Sequence, residues 1–116
     1  MHKKTILQVV PSFFSGGVER GTLDVAKALV DNNYRSMVAS SGGGLVANLT
    51  AAGSEHIKMK VASKNPVTIY RNYKTMVELI KKHEVDLIHA RSRAPAWSAY
   101  QASKITNARF ITTFHG

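Results

Sequence analysis

Short apolar runs and longer amphipathic stretches take turns along the chain. Thr5–Val10, Tyr34–Ser40, His56–Met59, Asp86–Ala90 and Arg109–Thr113 read as strands. The first holds Ile6-Leu7-Gln8-Val9-Val10 with almost no polar alternation. Such runs mark strands buried on both faces, as in parallel sheets. Between them, Val18–Asn32 places Leu23, Ala26, Leu29 and Val30 at helical spacing, and Asn32-Asn33 stops it. Leu45–Ala52 is a short helix ended by Gly53, a left-handed cap. Pro66–His83 is a long amphipathic helix with Ile69, Tyr73, Met76, Val77 and Ile80 on one stripe. Ala94–Thr106 is a helix that starts beside Pro95, with Trp97 expected in the core. Ser41–Gly44 and Lys60–Asn65 are connectors.

Strict strand–helix alternation implies a parallel sheet with helices on both faces. Right-handed crossovers then give a Rossmann-like α/β sheet of order 3-2-1-4-5. Sheets of this kind bind ligands at the carboxyl ends of their strands, beside the point where strand order reverses. That rule selects Ser15, Gly16, Gly17 and Glu19 after the first strand, and Ser40–Gly44 after the second. It also selects Arg91, Ser92 and Arg93 after the fourth, and His115 after the fifth.

Each of these residues has a plainer reading. Gly16-Gly17 fits a tight turn, and Glu19 suits the first turn of a helix through the dipole alone. Arg91 and Arg93 fit a solvated loop, although a guanidinium also matches phosphate or carboxylate. His115 fits a surface position, although imidazole suits contact with a sugar hydroxyl.

Composition narrows the classes. The chain has 116 residues and 44% hydrophobic content, enough for one domain with a real core. It has no cysteine, so neither disulfides nor thiolate chemistry enter. No apolar run approaches the roughly 18 residues that span a bilayer. The run behind Lys3-Lys4 ends at Pro11 and reads as a strand rather than a secretory signal. A cytoplasmic location is therefore expected. The net charge of +9 draws anions, whether nucleic acid, lipid headgroups or phosphorylated substrates. The basic residues are scattered, which weakens a nucleic-acid stripe, and no nucleic-acid partner is expected. The glycines at 16, 17 and 21 do not make G-x-G-x-x-G, and Ser40-Ser41 stand where a ribose-binding acid belongs, so dinucleotide binding is disfavoured. There is no P-loop, no zinc cluster and no G-x-S-x-G.

Three segments in order carry a resemblance. Val10-Pro11 through Gly16-Gly17-Val18-Glu19-Arg20, with the Ala-Leu-rich helix behind it, resembles the N-terminal domain of GT-B glycosyltransferases of the retaining family-4 type. Glu84–Trp97 is similar to the fourth-strand segment of lipopolysaccharide-type sugar transferases. Thr112-Thr113-Phe114-His115-Gly116 resembles the fifth-strand end, where a histidine enters the active site. The resemblance implies two Rossmann-like domains across a cleft, the N-terminal one on the acceptor side. It implies that Gly16 and Gly17 let backbone approach the donor diphosphate. It implies that His115 acts catalytically, by hydrogen-bonding the transferred sugar. It makes Glu19, Arg91, Ser92 and Arg93 candidates for acceptor or phosphate binding. No metal-binding D-x-D motif is visible, and neither metal nor cofactor is expected; the nucleotide sugar is a substrate.

On this reading residues 1–116 are a partial N-terminal domain, and the donor-binding C-terminal domain is absent. The implied function is sugar transfer, with retention, from a nucleotide-sugar donor to an envelope glycolipid or polysaccharide, the isolated fragment being inactive. The implied partners are the donor, an anionic acceptor, a complementing C-terminal half and the inner face of the cell membrane, touched peripherally. Uncovered sheet surface is expected to drive self-association. Two alternatives stand beside this reading. One is a non-catalytic Rossmann-like module that binds a phosphate ligand or a partner chain. The other, weaker, is a nucleic-acid binder.

Overall fold

The computed structural model describes residues 3–11, 17–61, 63, 65–91 and 93–113. Five parallel strands form one sheet in the order β3-β2-β1-β4-β5. They are β1 (Thr5–Val9), β2 (Arg35–Ser40), β3 (Glu55–Lys58), β4 (Val85–Ala90) and β5 (Arg109–Thr112). The intervening helices are α1 (Gly17–Asp31), α2 (Val46–Ala51), α3 (Pro66–His83) and α4 (Arg93–Ile105). This is the expected fold class and strand order, and strand order reverses between β1 and β4.

Leu7, Val9, Met37, Ala39, Ile88 and Ala90 point to one face of the sheet. There they meet Met76 and Ile80 of α3 and Ala99 and Ala102 of α4. Val10 and Val38 point to the other face and meet Leu23 and Ala26 of α1 and Leu49 of α2. Crossovers leftward from β1 and rightward from β3 place the helix pairs on opposite faces, as right-handed connections require. On the α1–α2 face the helices stop at β1. Ile6, Leu87 and Ile111 there stay partly exposed, Ile111 by 46%. They line a groove of about 1040 Å³ that also takes in Lys4 and Arg109.

Helix ends follow local chemistry. Asn33 adopts the left-handed region at φ 73°, and Tyr34 N–H donates to the Leu29 carbonyl at 2.8 Å, closing α1. Gly53 sits at φ 93° behind α2, and a Cβ there would stand 3.1 Å from Val30 Cγ1. The Asn65 side chain caps α3 by accepting from Val67 N–H at 2.9 Å, with Pro66 in the first turn.

Two details depart from expectation. β4 begins at Val85 because Asp86 forms a bulge against β1, its carboxylate accepting from Thr5 N–H at 2.8 Å. Trp97 is 52% exposed rather than in the core. It lies one position off the buried stripe of Ser98, Ala99 and Ala102, and meets Tyr73 at 6.4 Å between ring centroids. Among the described residues no helix is long and apolar enough to cross a membrane.

Candidate functional site at the carboxyl ends of the strands

The ends of β1, β4 and β5 lie side by side. Arg91 N–H donates to the Val9 carbonyl at 2.9 Å, and Thr113 N–H to the Ala90 carbonyl at 3.0 Å. Thr112 Oγ1 donates to that same carbonyl at 3.0 Å. The end of β2 is tied in from the other side, since Ser41 donates to the Pro11 carbonyl through both N–H, at 3.1 Å, and Oγ, at 2.7 Å. The β1 and β4 ends thus meet at the switch point, the position at which parallel-sheet proteins hold ligands.

Arg91 directly follows the β4 end. It is only 9% exposed, so the solvated-loop reading does not hold for it. Its Nε donates to Gln8 Oε1 at 2.7 Å. Gln8 is itself fully buried, and its Nε2 donates to the Thr22 carbonyl of α1 at 3.3 Å. The chain of contacts β4–β1–α1 fixes the guanidinium laterally. Burial pushes the Arg91 pKa down, yet a guanidinium remains charged at any physiological pH.

Glu19 is half-buried in the first turn of α1, where the helix dipole favours a carboxylate. Gly17 and Arg93 open α1 and α4, the helices that follow the two strand ends. Gly16, Ser92 and His115 lie outside the described residues, as does the side chain of Arg93.

Two features were not selected from sequence. Gln8 was hidden inside an apolar strand run, where its lone polarity was the available signal. The second is His56, which anchors the Ser40–Gly44 loop after β2. Ser40 Oγ accepts from Gly42 N–H at 3.1 Å and shares a 2.6 Å hydrogen bond with His56 Nε2. Burial, helped by Lys58, holds the His56 pKa below its ordinary value, so the ring is neutral at pH 7. Gly42, at φ 105°, needs the conformational freedom of glycine.

A five-stranded parallel sheet of order 3-2-1-4-5 with a buried arginine at its switch point is a Rossmann-like α/β domain. Comparison makes this specific: residues 15–116 match the Glycosyltransferase Family 4 model, and the chain belongs to that family. The whole chain is 54% identical, with a TM-score of 0.89, to a glycosyltransferase from Rickettsia africae ESF-5 and spans 31% of that protein's length. It also superposes on Acinetobacter baumannii MurG (TM-score 0.75, 15% identity, 96% of this chain and 35% of that one). A third likeness is to the C-terminal domain of the PF1911 hydrogenase from Pyrococcus furiosus (TM-score 0.72, 19% identity, 97% and 94% covered). These last two show a shared fold alone. No curated protein matches the chain significantly.

Proposed function

We propose that this chain supplies the N-terminal, acceptor-side wall of a nucleotide-sugar glycosyltransferase. The observation that carries the reading is a buried cation at the β1–β4 switch point, in a chain belonging to Glycosyltransferase Family 4. On this reading the backbone at Gly16 and Gly17 approaches the donor diphosphate. His115, two positions after Thr113 in the sequence, hydrogen-bonds a hydroxyl of the transferred sugar. Glu19, Arg91, Ser92 and Arg93 face the phosphate or an anionic acceptor. The sugar passes to an acceptor hydroxyl with its anomeric configuration retained, the hydroxyl giving up its proton, and the nucleoside diphosphate departs with its developing charge stabilised by positive groups of the two walls.

The second wall is proposed to come from polypeptide corresponding to the rest of the Rickettsia relative. The acceptor is proposed to be an envelope glycolipid or polysaccharide. The charge of +9 suits work at an anionic membrane surface on the cytoplasmic side.

The test is co-expression with a chain carrying the remaining two-thirds of that relative, followed by a nucleotide-sugar turnover assay. Turnover with at least one common donor is expected, with a loss of ~100-fold or more on His115→Ala. An assembled but inactive pair, with every common donor tried, removes the enzyme reading. What then stands is a non-catalytic phosphate-binding module.

A further inference from the structure

Among the described residues, Arg91 is the only charged side chain that is buried. Buried charges in folded proteins are ordinarily paired with an opposite charge. No carboxylate of the described residues pairs with Arg91; the side-chain partner is the neutral amide of Gln8. Glutamate has nearly the same shape as glutamine, and in that place it would neutralise the guanidinium. It would also set a second oxygen against the Thr22 carbonyl, where Gln8 Nε2 now donates at 3.3 Å. The amide therefore does two things at once. It fixes the arginine to α1 and leaves its charge uncompensated. The contact to Gln8 uses Nε, at the side of the guanidinium, so the terminal Nη1 and Nη2 pair remains as a fork for a second acceptor.

We propose that Gln8 and Arg91 form an anion site, in which Gln8 is the positioning residue and the Arg91 fork grips a phosphate group at the carboxyl ends of β1 and β4. The phosphate comes from a nucleoside diphosphate or from a phosphorylated acceptor, which share this chemistry. The assignment deepens the transferase reading and rests on it only for the source of the phosphate. A charge held in low dielectric by a neutral neighbour interacts strongly with an entering anion, and the site is pre-organised before the anion arrives.

The experiment titrates the chain with inorganic pyrophosphate, UDP and glucose 1-phosphate, following amide shifts and thermal stabilisation. The variants are Gln8→Glu, Arg91→Gln and Gln8→Met. Wild type is expected to bind pyrophosphate. Gln8→Glu, which supplies an internal counter-charge, should bind at least ~10-fold more weakly, as should Arg91→Gln. Gln8→Met, which keeps the charge and loses the hold, should weaken binding by a smaller factor. Circular dichroism checks that each variant is folded, and where Gln8→Glu fails to fold, Gln8→Met with Arg91→Gln decides. Tighter binding of UDP than of glucose 1-phosphate assigns the site to the donor, and the reverse assigns it to the acceptor. Binding by Gln8→Glu within twofold of wild type overturns the proposal, and so does wild type that ignores all three ligands. Arg91-dependent phosphate binding alongside an inactive assembled enzyme would sink the transferase reading and leave this site standing.

Discussion

Replacing Gln8 by Met removes two hydrogen bonds from the interior while keeping the volume. One is the charge-assisted contact from Arg91 Nε to Gln8 Oε1 at 2.7 Å, of a kind worth about 1.5–3 kcal/mol. The other, Gln8 Nε2 to the Thr22 carbonyl, is long at 3.3 Å and belongs at the low end, about 0.5 kcal/mol. Methionine returns part of this through apolar burial, so Gln8→Met should cost about 2 kcal/mol. Arg91→Met strands Gln8 Oε1 in turn and should cost about 1–3 kcal/mol. The double variant strands neither partner. Its cost should fall short of the sum of the singles by about 2 kcal/mol, which is the coupling energy. Urea unfolding followed by circular dichroism measures all four proteins. A coupling below about 0.5 kcal/mol, the ordinary limit of additivity, would refute the claim that this pair joins β4 to α1.

Gly53→Ala should destabilise by about 1–3 kcal/mol in the same assay, because φ 93° and Val30 Cγ1 at 3.1 Å both oppose a side chain. An acid titration of stability should show two steps of loss. Neutral His56, its pKa held down by burial, binds its proton more readily when unfolded. Its contribution is complete above the unfolded value near 6.5 and declines as pH falls from there. The Glu55 carboxylate is held low chiefly by the hydrogen bond from Arg35, so its share is complete above the unfolded value near 4.3 and disappears as pH falls further. His56→Gln should flatten the first step and Glu55→Gln the second, the latter by at most about 1 kcal/mol because that pair is half exposed. Sedimentation velocity at rising concentration should show self-association through the exposed face near Ile6, Leu87 and Ile111; a persistent monomer contradicts it.

The fold was largely legible because buried parallel strands demand apolar runs and because the punctuation was chemical. Asn32-Asn33 and Gly53 ended helices where left-handed backbone was needed. Pro66 began one where its missing N–H costs nothing. The bulge at Asp86 was not legible, since its carboxylate answers an N–H 81 positions away. Trp97 was misplaced because helical periodicity leaves the stripe uncertain by one position in a short helix rich in small residues. At the site, the strand-end rule located Arg91 but not its burial. Burial depends on Gln8, 83 positions earlier, and no local pattern ties the two. Gln8 alone in an apolar strand was a legible anomaly without a legible partner.

The central claim is that the carboxyl ends of β1, β4 and β5 face the sugar nucleotide. The direct measurement is a titration of the isotope-labelled chain, assembled with the remaining polypeptide of its family architecture, by a nucleoside diphosphate. Amide shifts concentrated at Val10, Gly17, Arg91 and Thr113 are the expected result. Shifts at Lys4, Leu87 and Arg109, in the groove at the opposite ends of the strands, would contradict it.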